Sequence, residues 1–475
     1  MDNQTVTARA HETRERSAGV VSAGVMQRWP ERYSWIFLAG LVVVGVLVIF
    51  AYLPGLHGSF YYDDFRSITQ NRMLRMTNFN RESFRLLHTG PGGDRPVSLF
   101  SFALHYYFGL TEPWHFRSVN IAIHVLVAAA AGLVTRRVLM VAGMDAGRAL
   151  VTCLGVVSLW ALHPIQLTAV TYVVQRMTSL GALFFWLSFY FYLVARTPRG
   201  PGTVRRRVAY AAGVLSLVLF LLGFLSKPHV AILPAMVVAT ELLLFRSHGR
   251  MSRREWTVLV AGLAGTVMLI VATQPEWVER TLRWATVDLW QPVLEARGGT
   301  PLHRLLSEPR VMFLYLSLFF FPLWSRFSLF WSMEPSRGLF TPPQTSLAIA
   351  ALVGASYLVF RWRQSRPLVA WALACFLLGH VIEGTVIPLY LVFEHRMYLP
   401  SVFLLIGCAG LMWEFVDRRG WKGRRLAVPG TAIFLVILAS LFANTYWRNA
   451  IWGDSRSFFL SEIEHNPGNY QLKVN

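Results

Sequence analysis

Apolar stretches recur along the whole chain with polar turns between them. They lie near residues 34–54, 116–135, 149–163, 170–195, 208–225, 230–245, 256–273, 344–360, 368–391, 400–416 and 427–446. A membrane-spanning helix needs about 20 mostly apolar residues. The pattern therefore predicts an all-α polytopic membrane protein with about eleven transmembrane helices. One further apolar segment, 310–324, contains Phe319, Phe320 and Phe321. At about 15 residues it is short for a crossing, and it reads as re-entrant or interfacial. Three larger polar pieces remain, at 55–115, 274–343 and from about 447 onward. The first two are rich in Trp, Tyr, Arg and acids and punctuated by Pro and Gly, which predicts ordered helical loops. No internal repeat or low-complexity linker divides the apolar part. The expected organisation is a basic tail over 1–33, one membrane domain over 34–447, and a tail over 448–475.

Composition agrees. The chain has 475 residues, 54% hydrophobic and only 15% charged, against about 25% charged in soluble domains. Its 33 Phe, 17 Trp and 16 Tyr demand burial, which excludes a disordered chain. The net charge of +20 is carried almost wholly by arginine, because Lys227, Lys422 and Lys473 are the only lysines. In a soluble protein such a charge would suggest nucleic acid. Here it is concentrated in short loops: residues 1–33, 136–148, 196–207, 246–254, 361–366 and 417–425 hold 25 of the 45 basic residues and 6 of the 25 acidic ones. Basic loops stay cytoplasmic. With eleven spans all of these fall on that side, the C-terminal tail and the loops 55–115 and 274–343 fall outside, and the remaining chain is nearly neutral. The partners implied are membrane lipids with anionic headgroups, not nucleic acid. Cys153, Cys375 and Cys408 lie in apolar runs without metal-site spacing and read as buried small hydrophobes.

The polar residues that remain cluster on the outer side. Asp63 and Asp64 follow the first span; two adjacent carboxylates at a membrane surface are costly unless solvated, paired or used. One can serve as a general base while its neighbour orients a partner or a cation. Arg95-Pro96 opens a helix-like run. Asn120 and His124 are four apart and share a helix face. His163-Pro164-Ile165-Gln166 joins two spans, and Gln175-Arg176 follows, with Arg176 in the outer half of a helix, where a cation needs an anionic partner. Lys227 stands in the next outer turn before Pro228-His229, and Glu394-His395-Arg396 at a later one. His105, His115 and His124 lack diagnostic metal spacing. Carboxylates and cations gathered on one face suit chemistry on a phosphate-bearing lipid.

In order along the chain, Tyr62-Asp63-Asp64 with Ile68 and Asn71, Arg95-Pro96-Val97, Ser118-Val119-Asn120 to His124, His163-Pro164-Ile165-Gln166 to Gln175-Arg176, and Glu394-His395-Arg396 to Pro400 resemble the GT-C membrane glycosyltransferases. The likeness is to protein O-mannosyltransferases and the tetratricopeptide-coupled transmembrane O-glycosyltransferases, bacterial members included, and it covers most of 50–245 and 390–417. It implies a GT-C fold, a polyprenyl-phosphate-linked sugar donor and a protein Ser or Thr acceptor, such as a pilin or another surface protein. It implies Asp63 as catalytic base and Asp64 as its support. Arg95 would face the donor phosphate, with Arg176, Lys227 and Arg396 as further phosphate contacts. His163, Gln166, Gln175, Glu394 and His395 would support the site or the acceptor. Direct displacement would invert the sugar carbon. The implied location is a bacterial inner membrane, with the site facing the periplasm. Relatives often carry an acidic residue after the position of Lys227, where this chain has Pro228-His229, so a divalent-metal requirement stays open. The stretch Trp452-Gly453-Asp454 through Asn466-Pro467-Gly468-Asn469-Tyr470 resembles the approach to a tetratricopeptide repeat.

Two other readings stand beside this one. The acceptor would be lipid A or a polysaccharide in the first. In the second the chain would be a transporter or flippase of lipid-linked sugar; transporters favour midplane charges and repeated halves, and this sequence shows neither.

Overall fold

A computed structural model describes residues 29–197, 202–245, 300–384, 389–421 and 424–466, with a few isolated positions between 251 and 265. The basic tail before residue 29, the expected span 256–273, the part of the expected loop up to 299 and the last nine residues lie outside the described residues.

The described chain is helical, with one isolated bridge between Gly338 and Thr341 as its sole extended pairing. Helix α1 (Glu31–Tyr52) is apolar all round, burying Phe37, Val44 and Val48 while exposing Leu38, Val42 and Ile49. In lipid, apolar side chains may face outward without cost, and a helix satisfies its own backbone. The expected outer loop follows, with α2 (Arg81–Leu87), capped by Asn80, and α3 (Pro96–Tyr107), whose Pro96 needs no N–H in the first turn. Then come α4 (Pro113–Val141), α5 (Ala146–Ala161), the single turn α6 (Leu167–Val170), α7 (Arg176–Arg196), α8 (Gly202–Phe224) and α9 (Leu233–Thr240). The later part holds α10 (Pro301–Phe320), α11 (Gln344–Trp362), α12 (Pro367–Gly379), α13 (Pro400–Arg418), α14 (Arg424–Gly453) and α15 (Ser455–His465).

Among the described residues, eight helices are long and apolar enough to cross a membrane, or nine if one bent pair counts as a span. Two expected spans differ, for local reasons. The run 149–163 ends at Ala161, and the chain turns by 55° at His163-Pro164. Proline has no N–H to donate and holds the preceding residue extended; His163 sits at ψ 128°. The run 368–391 is helical only to Gly379. There Glu383 interrupts the apolar pattern and turns inward to cations from elsewhere in the chain. The short segment 310–324 becomes the second half of α10, whose first half carries the Arg304–Glu308 pair at 2.7 Å.

Non-helical backbone at membrane depth must find partners inside the protein. The break between α5 and α7 finds them in buried polar side chains. Asn120 donates to the carbonyls of Val170 (2.9 Å) and Val173 (3.3 Å). Arg117 donates to Thr171 O at 3.0 Å, Arg448 to Pro164 O at 2.6 Å, and Thr445 to Leu162 O at 2.7 Å. These residues are polar because the break they surround is.

One large apolar core runs through the bundle, around Val127, Val134, Trp160, Trp186, Phe189, Trp371 and Phe403. A second, smaller one lies at one end, around Tyr61, Phe102, Phe116, Tyr172, Trp452 and Phe458. The basic loops gather at the other end: Arg148 grips Asp417 with two bonds of 2.8 Å, Arg137 reaches Thr197, Arg196 pairs with Glu241, and Arg366 pairs with Glu414. Cys153 and Cys375 are buried as expected; Cys408 is exposed, because its face of α13 is the outer one.

Candidate active site

The Asp63-Asp64 pair is split by the backbone. Tyr62 stands at φ +38°, in the left-handed region that a bulky residue disfavours. Asp64 then turns inward and is fully buried. Its Oδ2 accepts the Tyr61 N–H at 3.1 Å and its Oδ1 the Val174 N–H at 2.7 Å. Burial pushes its carboxyl up to about 7, against those two bonds and the nearby Arg117. Asp63 stays exposed. Its N–H donates to Tyr172 Oη at 2.9 Å, and the same hydroxyl engages its carboxylate. Asp63 is thus the carboxylate presented outward, and Asp64 is the one that ties the loop to the start of α7.

One turn further along α7, about 6 Å of rise, begins a chain of polar contacts. Gln175 Oε1 accepts from Thr178 Oγ1 at 2.8 Å, and Thr178 accepts from Lys227 Nζ at 2.9 Å. Lys227 pairs with Glu383 at 2.9 Å, and the other oxygen of Glu383 lies 3.8 Å from Arg396 Nε. Arg396 also donates to Leu391 O and Tyr390 O, each at 2.6 Å. Burial would raise the Glu383 carboxyl, but Lys227 and the other basic groups around it outweigh that and hold it well below the usual carboxylate range. His229 and His395 border the cluster; neither ring nitrogen of His229, nor Nδ1 of His395, has a hydrogen-bond partner among the described residues. Arg95, at the start of α3, is about one third exposed, pairs with Asp94 at 3.4 Å and contacts Met177 Sδ at 3.3 Å. Its helix is docked on the Lys227 turn by Ser98 Oγ to Ser226 O at 2.9 Å. Arg95, Lys227 and Arg396 are therefore brought together.

Other expected site residues are placed elsewhere. Arg176 is sealed in the core, donating to Asn120 Oδ1 (2.6 Å), Ser101 O (3.1 Å) and Phe116 O (2.9 Å) with Phe102 against its face. Its partners in the structure are carbonyl oxygens, and there the side chain acts as a brace. His163 accepts from Ile165 N at 3.1 Å through Nδ1, so its Nε2 donates to Phe319 O at 2.9 Å, and the ring stacks on Phe319. Gln166 donates to Ser401 Oγ at 3.1 Å. Glu394 accepts from Ser328 N at 3.0 Å and from Arg448. Burial pushes the Glu394 carboxyl up to about 7 despite Arg448. These three fasten the outer loops and do not line the cation cluster.

Sequence reasoning missed Glu383, Tyr172 and Glu462. Glu383 was legible as a lone acid in an apolar run. Tyr172 and Glu462 carry no such signal, because each acts on backbone far away in sequence. No three His, Cys, Asp or Glu side chains converge on one point among the described residues, and both oxygens of Asp64 accept backbone N–H groups.

No family model matches the chain. Over 164 residues it is 33% identical to the protein O-mannosyl-transferase tmtc2 of Xenopus laevis, covering 32% of this chain and 18% of that one. Over 167 residues it is 31% identical to the human TMTC2, covering 34% and 19%. The Drosophila melanogaster Tmtc2 gives 31% over 192 residues, covering 38% and 19%. The chain thus spans less than a fifth of the length of these curated relatives. An Archaeoglobus fulgidus oligosaccharyltransferase, solved with a tethered acceptor peptide, superposes with a TM-score of 0.43 at 14% identity, over 90% of this chain and 56% of that one. The chain is a multi-pass, all-α membrane protein, similar over about a third of its length to protein O-mannosyl-transferases of the TMTC kind.

Proposed function

We propose that this chain is a GT-C glycosyltransferase that moves a sugar from a polyprenyl-phosphate carrier to a protein Ser or Thr hydroxyl. In this reading the end of the bundle opposite the basic loops faces the periplasm of a bacterial inner membrane. The observation that carries it is the pairing of an outward carboxylate, Asp63, with the cation cluster of Arg95, Lys227 and Arg396 on the same end of α7.

The chemistry follows from the charges. Asp63 takes the proton of the acceptor hydroxyl as its oxygen attacks the anomeric carbon. The bond from that carbon to the phosphate oxygen breaks, and the polyprenyl phosphate departs with the electron pair. Negative charge develops on the phosphate, where fixed cations in a buried site are worth most. Attack opposite the leaving group inverts the carbon. Glu383 keeps the cluster balanced before the donor arrives. The similarity to protein O-mannosyl-transferases supports a protein acceptor over a lipid one.

Asp63→Asn tests this with purified, reconstituted protein, a polyprenyl-phosphate sugar and a Ser/Thr peptide. Loss of the general base predicts a fall in transfer of about 10²–10⁴-fold, with unchanged insertion and thermal unfolding. Full transfer by the variant would sink the assignment. Sugar found on lipid alone would select the other acceptor.

A further inference from the structure

The loop that presents Asp63 is held by a segment 391 positions further along the sequence. Tyr61 Oη donates to Trp452 O at 3.0 Å, and its ring lies 4.2 Å from Phe458 and edge-on to Trp452 at 5.4 Å. Tyr62 packs edge-on against Phe330 at 4.4 Å, with Phe459 at 6.1 Å and Phe458 at 6.5 Å. Phe458 is completely buried. One turn later on α15, Glu462 accepts from Ser328 Oγ (2.7 Å), Leu329 N (2.9 Å) and Phe330 N (3.2 Å), which fixes the segment that carries Phe330. Asp454 caps the helix through Ser457 N at 2.8 Å.

The two segments meet backbone to backbone. A Cβ at Gly58 would stand 2.1 Å from Trp452 O, and one at Gly453 the same distance from Pro54 O. Beside them Ser455 Oγ donates to Ser59 Oγ at 2.8 Å. Tyr62 is the one described non-glycine residue with positive φ, and it directly precedes Asp63. Such strain persists only where surroundings over-determine it. Here the surroundings are the aromatic rings of α15 and of the segment α15 holds.

We propose that α15 is a positioning element of the active site: Phe458, with Glu462 behind it, holds the Tyr61-Tyr62 turn so that Asp63 points at the acceptor. The inference rests on the reading of Asp63 as the base. Misplacing a reacting group by about 1 Å costs on the order of 100-fold in rate. Phe458→Ala is therefore expected to lower kcat by about 10–100-fold at unchanged KM for the lipid donor, measured at matched folded fraction. Tyr62→Asn, which tolerates left-handed backbone, should keep more kcat than Tyr62→Val, which does not.

The Ser59→Cys/Ser455→Cys pair, in a Cys408→Ser background, supplies the rescue. Oxidised, it should restore kcat to Phe458→Ala, and reduction should remove the gain. A wild-type kcat in Phe458→Ala, or no recovery on oxidation, overturns the proposal. A readout free of activity separates the two readings: in an Asp63→Cys protein, Phe458→Ala should change the rate of labelling by a charged thiol reagent several-fold. An unchanged rate overturns the positioning role even if the transfer assay itself fails.

Discussion

Adjacent aspartates look equivalent in a sequence, and one backbone angle separates them. With Tyr62 at φ +38°, Asp64 turns into the protein and Asp63 out of it. Rings more than 250 residues away pack against that turn, so the inward and outward placement was not legible in the pair itself, and the two roles were distinguished in the sequence only by the family resemblance. Burial leaves a titration signature. The folded-state value of Asp64, about 7, lies above the unfolded value of 3.8. Between the two the folded protein binds the additional proton, so the contribution is fully present below about 4 and is lost as pH rises to about 7. Thermal unfolding in detergent should accordingly show a midpoint that falls from pH 4 to 7. Asp64→Asn should flatten part of that fall. Parallel profiles for the two proteins would remove Asp64 from the account.

At the scale of elements, apolar runs located most helices, because a bilayer imposes length and composition together. They failed where a run contained its own break, as 368–391 does beyond Gly379. His163-Pro164 was visible as a motif but not as a 55° turn, and the buried residues that satisfy it, Asn120, Arg117 and Arg448, became intelligible only around the freed carbonyls. Arg176 belongs to this class. Cations in a membrane segment suggest function, yet its three hydrogen bonds brace α3, α4 and α7. Arg176→Met would strand those acceptors at a cost on the order of 3 kcal/mol. It should lower the unfolding midpoint and the yield while the folded remainder keeps its donor KM. A large rise in KM with normal stability would return Arg176 to the donor site.

Across the whole molecule the charge has a geography. Arg137, Arg148, Arg196 and Arg366 meet at one end, and the Asp63 loop and Lys227 at the other. The positive-inside rule predicts that the basic end faces the cytoplasm. In a Cys408→Ser background, Thr77→Cys should react with an impermeant thiol reagent added outside intact cells. Ala142→Cys should react only after the membrane is opened. The reverse pattern would turn the protein over and place the proposed chemistry on the wrong side for an exported acceptor.

The contact of Tyr61 with Trp452 joins residues 391 positions apart. At about 5–20 residues per second of synthesis, the Asp63 loop leaves the ribosome roughly 20–80 s before the segment that braces it. Until then Asp63 stands without the contacts that hold the Tyr61-Tyr62 turn. On the proposed role of α15, synthesis of that helix would time the chemistry: the early helices insert first, and the base is set only when its brace arrives.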